Sequence, residues 1–305
     1  MRKILALIVV SIFLISCKSN SETLTFNLEA GKSYRQVTNN KSVVVQEMNG
    51  QQMKIEMAMQ ATVAYLVKAV NETSYDIEVQ YESTTMTMTM PNGALTFSSE
   101  KEAEANDFVS PMLKAIKGKA FNIKMDKLGK VLEITGVDAL WEDMTEVLTN
   151  LPEAQAEQLK KQIIDSFGGE ALKGNLEMAT AIYPENPVKK GDKWNTQTEL
   201  ATIMKAKVST DYELVDISGE YATIKGVSTI EPEGEPEFKE QNGMLMKFDL
   251  RGTMQSEIKV DKATGWIIEA KISQEMKGNT ALKGEGIPEG LLIPMTVNNE
   301  MLITN

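Results

Sequence analysis

The stretch that decides the fold is residues 53–69, which read MKIEMAMQATVAYLVKA. Apolar side chains recur at every second position from Ile55 to Val67, and most of the residues between them are polar or charged. A period of two over about 15 residues predicts a long β-strand with one face on a core and one face in water.

The same alternation recurs further along the chain, at 76–81, 204–214, 248–260 and 266–276, and residues 291–303 hold a further apolar stretch that could close a sheet. Such clean alternation is typical of antiparallel sheets with one solvated face. The fold class predicted from these stretches is mainly β, a β-rich α+β protein with long antiparallel strands.

Three landmarks of the first half of the chain return in the second half in the same order. Residues 31–34 (GKSY) correspond to 191–194 (GDKW), 65–77 to 212–224, and 124–131 (KMDKLGKV) to 259–266 (KVDKATGW), at offsets of about 160, 147 and 135 residues. An internal repeat of strands predicts two duplicated halves that form curved sheets or an open barrel, related by a pseudo-twofold.

The third landmark contains Asp126 and Asp261, each followed within four residues by glycine. Aspartates in a repeated motif could serve acid–base chemistry or a calcium loop, but a calcium loop needs further acidic ligands at set spacing, which are absent here. Aspartate opens turns through its side chain, and glycine accepts a positive φ. We therefore predict two hairpin turns.

Helical periodicity interrupts the strands between the halves. Asp138 can cap a helix that carries Trp141 on its apolar face, and a second helix is predicted over 153–167, with a short one over 110–117 elsewhere. Trp141 can serve either as a core anchor or in the lining of a ligand site.

The predicted organisation is a signal peptide at 1–16, a lipidated cysteine and tether at 17–25, a first β half at 26–137, a helical insertion at 138–172 and a second β half at 173–305.

Composition excludes several functions. The 305 residues carry 32 Lys and Arg against 43 Asp and Glu, a net charge of −11, and an acidic surface repels nucleic acid. With no histidine and one cysteine, Cys17, the chain cannot build a histidine-based triad, a His/Cys zinc site or an intrachain disulfide. No phosphate-binding loop or nucleophile elbow is present. We expect no enzyme activity, no cofactor and no resident metal.

The N-terminus carries a targeting signal. A basic start is followed by an apolar run over 4–15 and by Ser16-Cys17, the pattern of a secretory signal peptide. Residues 14–17 (LISC) resemble the lipobox of bacterial lipoproteins, which implies a diacylglycerol on Cys17 and membrane attachment through its acyl chains. The tether has neither an aspartate directly after the cysteine nor an acidic run, which by resemblance to known sorting signals would indicate inner-membrane retention or export to the cell surface. The location that this resemblance implies is the outer membrane, facing the periplasm.

Methionine is unusually frequent, with 19 residues, several of which alternate along predicted strands. The candidates are Met57, Met59, Met86, Met88 and Met90. Three interpretations stay open: adaptable core packing, the lining of a groove for a lipid or other hydrophobic ligand, and a Cu(I) site built from thioethers.

The chain as a whole resembles uncharacterised secreted lipoproteins of Bacteroidetes-type bacteria. The shared features are the LISC lipobox, the GKSY opening and the Gly118-Lys119-x-Phe121 lead into the first Asp-containing turn. A looser resemblance, of architecture alone, is to periplasmic lipoprotein-carrier folds, in which a curved sheet wraps helices and holds acyl chains.

Three functional hypotheses follow. The first is non-catalytic binding of a hydrophobic or lipid-like ligand in the concave face of the sheet. The second is a structural or protein-interaction component of the cell envelope, with a partner on the exposed sheet edge. The third is an unrecognised hydrolase.

Overall fold

The computed structural model describes residues 21–305 except 49, 92, 103, 105–106, 147, 149–151, 202–203, 242–243, 285 and 289. The predicted signal peptide and Cys17 lie outside these residues. The first half contains β1 (Ser33–Met48), β2 (Gln51–Val70), β3 (Ser74–Met90), β4 (Gly93–Ser98), α1 (Val109–Ile116), β5 (Ala120–Asp126) and β6 (Val131–Thr135). The helices α2 (Val137–Glu146), α3 (Glu153–Phe167) and α4 (Gly169–Thr180) follow. The second half contains β7 (Lys193–Ala201), β8 (Lys205–Ser218), β9 (Tyr221–Pro232), β10 (Lys239–Gln241), β11 (Met244–Asp261), β12 (Ile267–Lys283) and β13 (Leu292–Thr304).

The described strands form one antiparallel sheet, so the predicted fold class is confirmed. The order across the sheet is β6-β5-β3-β2-β1-β13-β12-β11-β9-β8-β7, with β4 added to β3 and β10 added to β11. β1 and β13 join the two halves at the centre of the sheet. Helix α4 contacts both β6 and β7, the two outermost strands, so the sheet curls until its edges approach the same helix without pairing with each other.

The two halves repeat each other at the level of single hydrogen bonds. The amide of Gly31 donates to the carbonyl of Val67 over 2.8 Å, and that of Gly191 donates to Leu214 over 2.7 Å. Both β2–β3 and β8–β9 also shift register directly after these residues, at Val67/Ala69 and at Leu214/Asp216. The sequence repeat therefore corresponds to equivalent hairpins with equivalent bulges.

The Asp-containing segments are turns, as predicted. The Asp126 carboxylate accepts the amides of Leu128 at 2.9 Å and Lys130 at 2.8 Å, and the Asp261 carboxylate accepts the amide of Thr264 at 2.8 Å. Gly129 and Gly265 adopt φ of +94° and +68°. These carboxylates hold the two turns through backbone hydrogen bonds, which explains why the motif is repeated.

The predicted tether extends too far at its C-terminal end. Glu22 already exchanges two backbone hydrogen bonds with Val188, and Leu24 and Phe26 are buried. Phe26 donates its amide to the carbonyl of Lys127, and the amide of Asn27 donates to that of Thr264, so this segment joins the two repeated turns. Its apolar side chains bury against the core, which the polar start of the tether does not reveal.

The helical insertion is longer than predicted. Helices α2 and α3 occupy the expected positions, but α4 follows directly and runs to Thr180, beyond the predicted boundary at 172. In the structure the backbone of Gly168 is extended and serves as the boundary between two helices.

The main core lies on the inner face of the sheet, at the end where the N-terminal segment crosses. The Trp266 ring packs against Tyr34 with centroids 4.8 Å apart and against Tyr65 at 5.3 Å. A second apolar cluster, which includes Ile230, Leu250 and Met254, lies further along the same face in the second half. The candidate site forms at this second cluster.

Candidate functional site: a methionine-lined pocket under α4

Helix α4 lies over the inner face of the second half and leaves space beneath it. The space is a cavity of about 320 Å³ between the helix and strands β1, β7, β8, β11, β12 and β13. We call it the methionine pocket, because five methionines contribute to its wall. These are Met178, Met204, Met254, Met276 and Met301, beside the apolar residues Ala179, Leu200, Ala206, Leu250, Ile272 and Val297.

The pocket also presents a small number of polar groups, all of them amides. Asn40, Gln274 and Asn299 come from three neighbouring strands, and Asn175 comes from α4. The Asn299 amide nitrogen donates to the Gln274 side-chain oxygen. Among the described residues that line the pocket none is charged. An apolar cavity with a few convergent polar groups is the usual form of a small-molecule site.

The roof of the pocket is fixed to both edges of the sheet. At β7, α4 approaches so closely that a Cβ on Gly174 would overlap the carbonyl oxygen of Glu199. At β6, the Glu177 carboxylate accepts the amide of Val131 at 2.9 Å. Thr180 adds a hydrogen bond of 2.6 Å to the carbonyl of Gly129. The helix thereby satisfies the amide of Val131 on the edge of β6 and packs closely against the edge of β7.

Glu177 is the titratable group in this attachment. Its side chain is 7% exposed, and burial raises its pKa above the ordinary value, an effect that the hydrogen bond from Val131 opposes. The nearby lysines Lys173 and Lys130 also favour the charged form. The carboxylate holds the helix to the edge of β6 and does not line the pocket.

The methionines singled out from the sequence lie on the same inner face, in the first half and outside the methionine pocket. The strand register places Met57 opposite Met88 and Met59 opposite Met86. Directly opposed residues have Cβ atoms about 5 Å apart, so four thioethers form a compact group. Met59 and Met90 are exposed, at 38% and 36%, and the others are half-buried. Their roles in ligand or Cu(I) binding stay predictions.

Trp141 lies apart from both methionine groups. It is 6% exposed and belongs to the main core. Of the two roles left open for this residue, its position favours that of a core anchor.

Sequence reasoning missed the five methionines of the pocket as a group. Met254 and Met276 stand in phase with the apolar face of predicted strands, so their orientation could have been derived. That they meet Met178 could not, because this residue lies on α4, which was not predicted.

A second concavity of about 810 Å³ lies on the opposite, polar face of the sheet. We call it the outer groove. It crosses from β3 to β9 and is lined by amides, hydroxyls, lysines and glutamates, including Lys41, Glu257 and Lys271. Val227 and Leu302 add exposed apolar surface to it, at 59% and 37%.

No helix of the described residues is both long enough and apolar enough to cross a membrane.

Several solved structures are similar to this chain at low sequence identity. A chain from "Lipid-protein interactions in lipovitellin" is 9% identical with a TM-score of 0.48; the match covers 91% of this chain and 25% of that one. An outer membrane channel from Pseudomonas putida F1 is 7% identical with a TM-score of 0.24, over 92% and 97%. OccK7 of Pseudomonas aeruginosa is 6% identical with a TM-score of 0.19, over 90% and 99%.

No curated protein matches the sequence. A family model does match, over residues 72–267, from the turn between β2 and β3 to the start of β12. The matched region includes the helical insertion and most of the strands of the second half. The chain therefore belongs to DUF6263, a family of unknown function.

Proposed function

We propose that this chain is a lipid-anchored, non-catalytic protein of the bacterial cell envelope that binds a hydrophobic ligand in the methionine pocket. The observation that carries the proposal is the cavity of about 320 Å³ with five methionines in its wall. This refines the concave-face site predicted from the sequence by placing it in the second half, under α4.

The chemistry of the wall supports an apolar ligand. The volume lies at the lower end of the range of small-molecule pockets. Methionine side chains are flexible and polarisable, so they adapt to varied ligand shapes. Apolar cavities stay dry and accept apolar molecules readily.

The same wall supports a role without catalysis. General acid–base and nucleophilic catalysis need titratable or nucleophilic side chains beside the substrate. The described lining supplies only thioethers, alkyl groups and amides. An amide side chain can orient a ligand through hydrogen bonds, but it does not ionise at neutral pH and so cannot act as a general acid or base.

The anchor proposal rests on the lipobox-like sequence at Cys17 and on the place where the folded body begins. Glu22 is already paired with Val188, so five residue steps separate the docked chain from the sulfur. Such a segment spans at most roughly 17 Å. A lipid on Cys17 would hold the end of the sheet with the two Asp-containing turns close to the membrane, with the methionine pocket further along the same inner face.

The pocket is tested by filling it. Ala179→Trp, in α4, places an indole in the cavity, and Ala58→Trp places the same side chain in the outer groove as a matched control. We expect binding of a fluorescent hydrophobic probe, N-phenyl-1-naphthylamine, to fall at least about ten-fold in Ala179→Trp and to persist in the control. Equal binding of the probe by Ala179→Trp and Ala58→Trp would show that the probe does not bind in the methionine pocket.

The anchor is tested by fractionation of cells that express Cys17→Ala, with Ser19→Ala as the control. We expect the cysteine variant to leave the membrane fraction and the serine variant to stay there. Unchanged fractionation of Cys17→Ala would overturn the lipid anchor and leave the pocket unaffected.

The outer groove favours a second candidate, a protein-interaction component of the envelope. Its exposed Val227 and Leu302 among polar groups suit a partner surface better than the sheet edges do, because α4 already lies against β6 and β7. Crosslinking in cells tests it with the same pair of variants. Loss of a crosslinked partner in Ala58→Trp, but not in Ala179→Trp, would favour this candidate.

A further inference from the structure

One residue of the methionine-pocket lining, Asn40, carries a buried polar atom that no other described residue partners. The side-chain oxygen Oδ1 of Asn40 is buried, and no hydrogen-bond donor among the described residues reaches it. A buried acceptor without a donor is rare in folded proteins, and its donor comes from outside the protein, either from a ligand or from a water.

The position of Asn40 places this oxygen on the inner face. Along β1 it alternates with residues that face the core, Tyr34 and Gln36, and it pairs across the strands with Met59 and Met301. Asn40 is also part of the pocket lining. Asn40 therefore lies between two methionines in its cross-strand row, at the point where the pocket meets the first half of the sheet.

The neighbouring amides do not supply the missing donor. Asn299 directs its amide nitrogen to Gln274, which pairs these two side chains with each other. They occupy the next cross-strand row, in which Asn299 lies opposite Ser42. The pocket lining thus holds one hydrogen-bonded amide pair and, on Asn40, one buried acceptor without a donor.

The charge of the lining restricts the ligand further. No charged residue occurs among the described residues of the wall, so an ionised head group would be buried without a counter-charge. A carboxylate is disfavoured twice, since it also offers no donor to the Asn40 oxygen. A neutral hydroxyl or amide N–H satisfies both conditions.

We propose that the methionine pocket selects neutral amphiphiles, alkyl chains that end in a hydroxyl or an amide N–H, and that Asn40 is the specificity-determining residue that accepts this hydrogen bond. This inference rests on the proposed function and adds the ligand class. Ionised fatty acids are excluded from that class.

The experiment compares three ligands of equal chain length by competition against N-phenyl-1-naphthylamine at pH 7.5: 1-dodecanol, dodecyl methyl ether and dodecanoate. The ether has the same oxygen without the hydrogen. We expect the wild-type protein to bind the alcohol about ten-fold more tightly than the ether, equivalent to ~1.4 kcal/mol, and to bind dodecanoate more weakly than the alcohol.

Asn40→Leu replaces the amide by an alkyl group of similar shape, and Asn39→Leu makes the same change on the outer face of the same strand. We expect the preference for alcohol over ether to vanish in the first variant and to persist in the second. If Asn40→Leu does not fold, the relative affinity of the wild-type protein for the alcohol and the ether still tests whether the pocket selects a hydrogen-bond donor.

The outcomes separate the two proposals. Binding of both alcohol and ether with equal affinity to the wild type, or a preference that survives in Asn40→Leu, would overturn the role of Asn40 and show that the oxygen binds only water. Such a result leaves the pocket as a hydrophobic site. Failure of both ligands to compete with the probe would overturn the proposed function itself.

Discussion

The two halves of the sheet share their hairpins and differ in what covers them. At the sequence offset that relates Val67 to Leu214, Met57 corresponds to Met204 and Met59 to Ala206. In the second half these positions are 8% and 1% exposed, whereas Met59 is 38% exposed and Met57 is half-buried. Equivalent strands therefore present a closed apolar surface in one half and an open one in the other.

The difference comes from the inserted helices and not from the strands. Helix α4 packs on β7 through Gly174 and covers the inner face of the second half. In the first half α1 packs against β4, at the end of the sheet, where Ser110 accepts the amide of Ser98 at 3.0 Å. The repeated sheet thus forms the methionine pocket in its second half, because α4 lies over that half whereas α1 packs at the end of the sheet in the first.

The largest effect we expect concerns the turns that the halves share. A Cβ on Gly129 would overlap the carbonyl oxygen of Thr180, and a Cβ on Gly265 would overlap that of Thr25, in addition to the strain of their positive φ. We expect Gly129→Ala and Gly265→Ala each to lower the free energy of unfolding by about 3 kcal/mol or more, measured by denaturant titration.

Gly31→Ala and Gly191→Ala are the controls, because these glycines also have positive φ but no atom lies near the added carbon. Their expected loss is about 1 kcal/mol, from backbone strain alone. Losses of the same size in all four variants would show that the close approach to Thr180 and Thr25 does not contribute.

The second prediction addresses the covered and uncovered methionines directly. Truncation of a buried side chain removes its transfer free energy and leaves a cavity, whereas a half-exposed site loses less. We expect Met204→Ala to lower the free energy of unfolding by about 2–4 kcal/mol, and Met57→Ala by about 1 kcal/mol or less. Equal losses would mean that the first half is covered in solution as well.

The smallest expected effect concerns the contact by which α4 reaches the first half. Because burial raises the pKa of Glu177, the folded state binds this proton more tightly than the unfolded state. Its contribution to stability is therefore fully present below the unfolded pKa of about 4.3 and is lost as the pH rises through the folded value.

Glu177→Gln keeps an oxygen to accept the amide of Val131 but cannot ionise. The difference in free energy of unfolding between this variant and the wild type is expected to rise from pH 4 to pH 7, by about 1 kcal/mol or less, in favour of the variant. Glu170→Gln, at an exposed site on the same helix, is the control for the loss of one negative charge. A variant with the wild-type pH dependence would show that Glu177 ionises freely in the folded state.

Much of the fold could be predicted from local pattern. The alternation around Tyr65 gave β2 almost to its ends, and the repeated Asp-to-Gly segments gave two turns, because both features depend on residues close in the chain. The apolar stretch at 291–303 forms β13, which runs through Pro294 without a break. Pro294 lies beyond the last residue of β13 that pairs with β1, so its missing amide costs no hydrogen bond on that side.

The candidate site was harder to predict for a physical reason. The chosen methionines were those that alternate within one short segment, and cross-strand register does bring Met57, Met59, Met86 and Met88 together. The pocket instead combines Met178 of α4 with Met254 and Met301 of distant strands. No local periodicity encodes that convergence.

By itself the sequence determined the β class, the duplication, the two turns and the absence of histidine chemistry, because each is written in residue types and short spacings. The tertiary structure decided which apolar face is closed, where a cavity remains and which buried polar atom of its lining residues lacks a partner. These depend on how a curled sheet brings its two edges to one helix, a relation between residues far apart in the chain.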